Sequence, residues 1–385
     1  MSKSKVAALI SLICLMGVVF YGLVVFSQTP QPSVRLLTKP PISQILPFDG
    51  EASVTPSPVR LTLQAVNAAG QSLENAKIRL QILTPPKSPW FPTDFPIVEG
   101  TKLLNFEAVA PKGELQIQQI LPIRGQYQLL VEVTPIVEKA FTPFQQTLAL
   151  SVSENWIKYR NVGILILVLL TVGVGGGLVL GGHQEIQEGE IAPQRVRLLL
   201  SGAIIVAIIS LVFINITAEL AESHTGHHKH HSPKPEEPAI IQSQGIKARI
   251  LGDIEATVGQ LANLAVQVSD TQTGQPVTDA NLNIKATSLE GEWIAFAYQG
   301  VTDTKGQLKW EQQFFDGAPH KVTVEVSPQP QAQQQFSPLK VVKEIAVEGV
   351  APPLKSRLVV LGYFTSFIVL GLVIGIQLRR RLVWQ

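Results

Sequence analysis

Two kinds of hydrophobic pattern alternate along the chain. Four stretches are apolar and free of charge: Val6 to Phe26, Val162 to Gly182, Leu198 to Thr217 and Leu358 to Leu378. About 20 such residues in a helix cover a hydrocarbon core of ~30 Å, so each predicts a transmembrane span. Between the members of each pair the pattern turns polar and alternates. In Tyr127-Gln128-Leu129-Leu130-Val131-Glu132-Val133 the odd positions are all apolar, and Gln128 and Glu132 fall on the other face. That is the signature of a half-buried strand. Val59 to Val66, Leu264 to Val268, Leu282 to Lys285 and Val322 to Val326 follow the same rule, and Lys112-Gly113, Lys305-Gly306 and Asp316-Gly317 supply turns.

The two halves repeat each other. Gly70-Gln71, Asn75-Ala76 and Ile78 recur as Gly274-Gln275, Asp279-Ala280 and Leu282, an offset of 204 residues. Lys112-Gly113-x-Leu115 and Val131-Glu132-Val133 recur as Lys305-Gly306-x-Leu308 and Val324-Glu325-Val326, an offset of 193. The first copy therefore carries 11 extra residues between its two parts, expected near the proline-rich stretch Thr84 to Gly100. Matches in the same order between paired spans are the mark of an internal duplication.

These patterns predict a mixed membrane protein, internally duplicated, with four transmembrane α-helices and two extracytoplasmic antiparallel β-sandwich domains. The expected order is a span at 6–26, a β domain at 28–158, a span at 162–182 and a short cytoplasmic loop at 183–197. A span at 198–217, a linker at 218–238, a second β domain at 239–354 and a span at 358–378 complete it. A small open barrel is the alternative for the β domains. The first span also fits a cleaved signal sequence, although its apolar run exceeds the usual ~7–15 residues. Lys3, Lys5, Arg195, Arg197 and Arg379 to Arg381 place the N-terminus and the short loop inside, while Lys158, Arg160, Lys355 and Arg357 flank spans on the other side. Short tails and loops govern orientation, so both β domains are expected in a periplasm or lumen, anchored in a bacterial inner or thylakoid membrane.

Composition excludes some classes. A net charge of +2, with no long basic run interleaved with aromatics, argues against nucleic-acid binding. The single cysteine, Cys14, lies in the first span, so neither β domain has a disulfide or a cysteine nucleophile. No GxSxG, HExxH or phosphate-binding glycine loop occurs, and no catalytic residue is expected. Asp303, Asp316 and His320 lie near turns of the second domain, where a lone histidine is commonly inert.

The run Gly274 to Leu282, followed by Thr302-Asp303-Thr304-Lys305-Gly306 and a Val-x-Val strand, resembles bacterial immunoglobulin-like or transthyretin-like envelope domains. Membrane-anchored YtkA-like and FixH-like proteins are similar. The resemblance implies a role beside metal handling or oxidase assembly. It extends over each β domain and not over the span layout, and the first copy departs from it with Ser72-Leu73 in place of Pro276-Val277.

Two features carry candidate sites. His224, His227, His228, His230 and His231 fall within eight residues of the linker, and neutral imidazole suits Zn, Ni or Cu(II). Glu219, Glu222, Glu236 and Glu237 flank them. A solvated spacer and a pH-sensitive patch are the competing interpretations. Gly173, Gly177 and Gly181 in the second span, with Gly371 and Gly375 in the fourth, repeat at four-residue spacing, which lets helix backbones approach closely. No span has an interior ionisable residue, which argues against transport. Two functions are compatible with this pattern. One is a non-enzymatic accessory or scaffold protein that docks on a membrane complex through its β domains and glycine-lined helices. The other is a divalent transition-metal acceptor or delivery protein using the histidines. The expected partners are the lipid bilayer and either a membrane protein or a second copy of the chain.

Overall fold

A computed structural model of the chain describes residues 13–17, 31–50, 57–88, 90–181, 193, 196–197, 199–204, 239–278, 280–330, 332 and 335–383. The first repeat forms β1 (Ser33–Lys39), β2 (Val59–Val66), β3 (Ala76–Leu83), β4 (Lys102–Ala110), β5 (Glu114–Gln119), β6 (Gly125–Pro135) and β7 (Phe144–Val152), then helix α1 (Trp156–Leu180). The second forms β8 (Ala239–Ser243), β9 (Ile246–Gly252), β10 (Glu255–Thr257), β11 (Leu261–Asp270), β12 (Ala280–Ser288), β13 (Ile294–Val301), β14 (Gln307–Gln313), β15 (His320–Pro328) and β16 (Leu339–Glu348), then helix α2 (Leu354–Val383). The alternation read from sequence is the burial pattern observed. In β3 every second residue from Ala76 to Ile82 is buried, and in β16 every second residue from Leu339 to Val347.

Each repeat is an immunoglobulin-like β-sandwich. In the first, β1-β2-β5 form one layer and β7-β6-β3-β4 the other; in the second, β9-β11-β14 and β16-β15-β12-β13 do the same. Strand β10 adds to β16 in parallel, and β8 adds to β9. A buried tyrosine reinforces the class. At the start of β6, Tyr127 Oη donates to the Ile123 carbonyl at 2.8 Å and accepts from the Ile123 amide at 3.0 Å. This is the tyrosine-corner arrangement of immunoglobulin-like sandwiches, where the hydroxyl pins the chain entering a central strand. Burial pushes the Tyr127 phenol well above its ordinary pKa, so the hydroxyl stays neutral.

The expectation of four transmembrane helices and two β domains requires correction. The sandwiches are not separate: β5 pairs with β13, and β4 with β14, giving two continuous eight-stranded sheets, β1-β2-β5-β13-β12-β15-β16-β10 and β7-β6-β3-β4-β14-β11-β9-β8. Among the described residues two helices, not four, are long and apolar enough to cross a membrane: Trp156–Leu180 and Leu354–Arg381. The apolar stretches 6–26 and 198–217 fall largely outside the described residues, as does the loop 183–197.

The seam is built symmetrically. Phe106 faces Trp310 in one junction and Tyr298 faces Ile117 in the other. Phe106 and Tyr298 occupy equivalent places, opposite Leu80 and Ile284 of their own repeats, and their rings meet edge to face at 4.6 Å between centroids. The two repeats are thus related by a local two-fold, with the larger sheet of one extending the smaller sheet of the other. Phe296 adds contacts to Phe106 at 5.6 Å and to Trp310 at 6.3 Å, so one hydrophobic core runs through both repeats. On the solvent side Asn105 accepts from Arg79 Nε at 3.1 Å and donates to Glu311 at 2.8 Å, tying three adjacent strands across the junction. Pairing at the seam removes four sheet edges that would otherwise expose unpaired backbone groups.

Candidate membrane-anchoring site

Both repeats deliver their last strand into a helix, β7 into α1 and β16 into α2, so the helices leave the same end of the β head. Asn155 caps α1, its side-chain oxygen accepting from the Ile157 amide at 3.0 Å. The helices run parallel and meet at their glycines. A Cβ placed on Gly173 would collide with the Ile368 carbonyl and lie 3.0 Å from Gly371 Cα; one on Gly177 would collide with the Leu372 carbonyl and lie 2.8 Å from Gly375 Cα. The reverse contacts, Gly371 on the Leu170 carbonyl and Gly375 on the Val174 carbonyl, repeat the same geometry at an offset of 198 residues. Gly181 faces the side chain of Arg379, which holds the third position of the row in α2. Small residues are required here because the two backbones touch. Ile164, Leu167, Val168 and Val172 of α1, with Leu358, Val369, Leu370 and Val373 of α2, remain exposed. Little of either helix is buried inside the protein, and both are long and apolar enough to cross a membrane.

Between the head and the helices lies the extra segment of the first repeat. The β3–β4 connection, 84–101, is long where its counterpart between β12 and β13, 289–293, is short. Glu99, 4 % exposed, holds the connection together by accepting from the Thr93 amide and hydroxyl, each at 2.8 Å. Thr84 Oγ1 donates to the Val98 carbonyl at 2.6 Å. Arg124 braces it from the head, pairing with Glu154 at 2.7 Å and donating to the Phe91 and Pro92 carbonyls at 3.3 and 3.4 Å. Asp94 pairs with Lys158 in the first turn of α1. At its tip the ring of Phe91 stacks on Tyr363 of α2 at 5.9 Å, and Tyr363 Oη donates to the Trp90 carbonyl at 2.8 Å. A cavity of about 700 Å³ opens beside this connection, lined by Pro85, Pro86, Phe91, Arg124, Glu154 and Tyr159 among others.

At the same end of the second repeat, Trp293 and Phe314 pack on His320, the residue that stands where the first repeat has Tyr127, and Phe315 stacks on Trp293. Phe48 and Phe95 of the first repeat join the cluster at 5.0 and 5.3 Å from Phe315. His320 is fully buried; its Nδ1 lies 2.8 Å from the Ala318 carbonyl and its Nε2 lies 3.6 Å from Asp316. Burial drives both groups toward neutrality, lowering His320 to about 4 and raising Asp316 to about 7. The two effects on stability have opposite sign. His320 contributes stability that is present above its unfolded value and is lost as pH falls toward 4. Asp316 contributes stability that is present at low pH and is lost as pH rises through 7. Between about 4 and 6.5 they offset each other, and above that range Asp316 alone remains. Asp316→Asn should therefore raise stability at pH 8 by ~2 kcal/mol and at pH 5 by less than half of that, because the loss builds up from the ordinary carboxylate value of 3.8 to about 7. The pH 8 figure is reduced from a full ~4 kcal/mol because 20 % of the Asp316 side chain meets water. Thermal melts of the solubilised protein at pH 5 and 8 check this; an equal shift at both pH values would refute it.

The five linker histidines, His224, His227, His228, His230 and His231, lie outside the described residues. Among the described residues no three His, Cys, Asp or Glu side chains come together to hold an ion. Asp303 does not join Asp316 and His320. It accepts from the Lys305 and Gln307 amides at 2.9 and 2.8 Å, closing the β13–β14 turn at the far end of the head. Sequence reasoning missed the partnership of Trp90 and Phe91 with α2. Its one available signal was the 11-residue excess of the first repeat.

The fold and this junction define a double immunoglobulin-like sandwich carried on a parallel pair of apolar helices. No family model and no curated protein matches the chain. Among solved structures, it is similar to the adhesin InvE of Yersinia pseudotuberculosis at 9 % identity, with a TM-score of 0.19, over 82 % of this chain and 61 % of that one. Invasin, a bacterial integrin-binding protein, gives 9 % and 0.20 over 81 % and 39 %, and the D0-D1 domain of intimin 12 % and 0.17 over 78 % and 93 %. The chain spans less than two thirds of the first two. At such scores the likeness adds nothing to the fold, which rests on the strand order and the Tyr127 corner.

Proposed function

We propose that this protein is a non-enzymatic membrane scaffold whose β head docks on a membrane complex while its helix pair holds the head at a fixed position over the bilayer. The observation that carries this reading is mechanical continuity. The seam makes one body of the two repeats, each repeat runs directly into a helix, and the helices close on each other at Gly173, Gly177, Gly371 and Gly375. Such a unit transmits position and offers exposed apolar helix faces to a partner. Arg379, Arg380 and Arg381 at the far end of α2 favour a cytoplasmic location for that end, with the head in the periplasm or lumen of a bacterial inner or thylakoid membrane. The resemblance to YtkA-like and FixH-like proteins is compatible with a complex that handles metal or assembles an oxidase.

Affinity capture from native membranes, using the intact protein and a variant lacking 224–231, tests the reading. The scaffold account expects the same membrane-protein partner with both forms, and full complementation of a deletion strain by the variant at limiting metal. Capture of a metalloenzyme or transporter only with the histidines and Zn, Ni or Cu(II) present would replace it with metal delivery.

A further inference from the structure

The strongest observation left without a role is a pair of large aromatics at the tip of the 84–101 connection. Trp90 is 67 % exposed and Phe91 66 % exposed, although the connection is braced by buried Glu99 and by Arg124. At the corresponding connection of the second repeat the tryptophan, Trp293, is 5 % exposed and sits inside the aromatic cluster. The same end of the same fold therefore buries one tryptophan and presents the other. Where Trp90 is presented is set by α2. Its carbonyl and the Phe91 ring meet Tyr363, six residues beyond Arg357. At 1.5 Å per residue that is ~9 Å further along the helix than the last charge on the head side. Headgroup regions are only ~5–8 Å deep on each face, so this level is the boundary between headgroups and hydrocarbon. Trp156 and Tyr159, at 76 % and 57 % exposed in the first turn of α1, extend the aromatic girdle above it. Tryptophan and tyrosine favour such a boundary because one edge is apolar and the other hydrogen-bonds.

We propose that Trp90 and Phe91 insert into the lipid interface as a third membrane contact, fixing the tilt of the head on its helix pair. The occupant of this surface is lipid: the Phe91 ring and the Trp90 carbonyl meet Tyr363 of the apolar helix α2, Trp90 and Phe91 stay exposed there, and exposed Lys87 in the same connection and Arg357 of α2 add cationic groups. The proposal rests on the reading that α1 and α2 cross the bilayer, and the test separates the two.

The full chain with Cys14→Ser is spin-labelled in turn at positions 90, 370 and 271 and placed in nanodiscs of phosphatidylcholine and phosphatidylglycerol. Collision with oxygen, which concentrates in lipid, is compared with collision with a water-soluble nickel chelate. The expected oxygen-to-nickel ratio is highest at Leu370, several-fold lower at Trp90, and several-fold lower again at Thr271 on the far end of the head. A ratio at 90 equal to that at 271, with 370 in lipid, overturns the loop contact alone. A water-like ratio at 370 overturns the membrane reading beneath it. A label at 90 shielded from both reagents means that protein covers the tip, and also overturns the lipid contact. Because labelling replaces Trp90 itself, quenching by bromine-substituted lipid gives an independent check: Trp90→Phe should reduce the quenched fraction of intrinsic fluorescence, and an unchanged fraction contradicts insertion.

Discussion

Phe106→Ala is expected to destabilise the β head by ~3–5 kcal/mol, the range for deleting a fully buried aromatic ring. Phe106 has no exposure and touches Tyr298 and Phe296 of the other repeat, so its loss opens a cavity on the local two-fold. Tyr298→Ala, at the equivalent place, should have an effect of similar size. The double variant should be less destabilised than the sum of the two, by a coupling of ~0.5–1.5 kcal/mol for an edge-to-face pair. Urea titrations of the solubilised full chain followed by tryptophan fluorescence measure all three. Two independent sandwiches would give two transitions in the wild type and no coupling between the variants.

The second large effect is expected in the helix pair. Gly177→Leu with Gly375→Leu places two branched side chains where a single Cβ already collides with a carbonyl. Overpacking of this kind costs ~1–3 kcal/mol at one site, comparable to the ~0.6–2 kcal/mol scale of helix contacts in membranes. The helices should separate while the head stays folded, because the glycines touch no head residue. Distances between spin labels at Val168 and Leu370, both on exposed faces, should lengthen and broaden in the double variant. Substitution of Gly175, whose Cβ would meet nothing within 4 Å, should leave the distribution as it is. Equal broadening by both changes would mean that close approach at Gly177 does not hold the pair.

Alternation within Val59 to Val66 or Val322 to Val326 gave the strands, because one buried face imposes period two on the sequence. The duplication and the place of the inserted segment were likewise legible from spacing alone. The seam was not. The alternating runs that mark strands in the sequence are those of β2, β6, β11, β12 and β15, and none of them borders the seam; β13, with four consecutive buried residues, does not alternate. Only the concentration of aromatics at Phe106, Phe296, Tyr298 and Trp310 distinguishes the seam strands, and its meaning depends on a partner about 200 residues away in sequence. The glycine rows named residues that touch, but the row alone did not say which helix opposed which. His320 reads in the sequence only as a lone histidine near a turn, and its burial follows from standing at the position that Tyr127 holds in the first repeat.

The central claim is that the two repeats form one body through the seam. A cysteine pair tests it most directly. Asn105 and Glu311 stand directly opposite each other on β4 and β14, within the range a disulfide can bridge. In the full chain with Cys14→Ser, Asn105→Cys with Glu311→Cys should oxidise to an intramolecular disulfide, read as a compact, reducible band on a non-reducing gel at any protein concentration. Asn105→Cys with Asp303→Cys, which lies at the far end of the head, should stay reduced. Free thiols at 105 and 311, or cross-links that form only between chains, would contradict the continuous sheets.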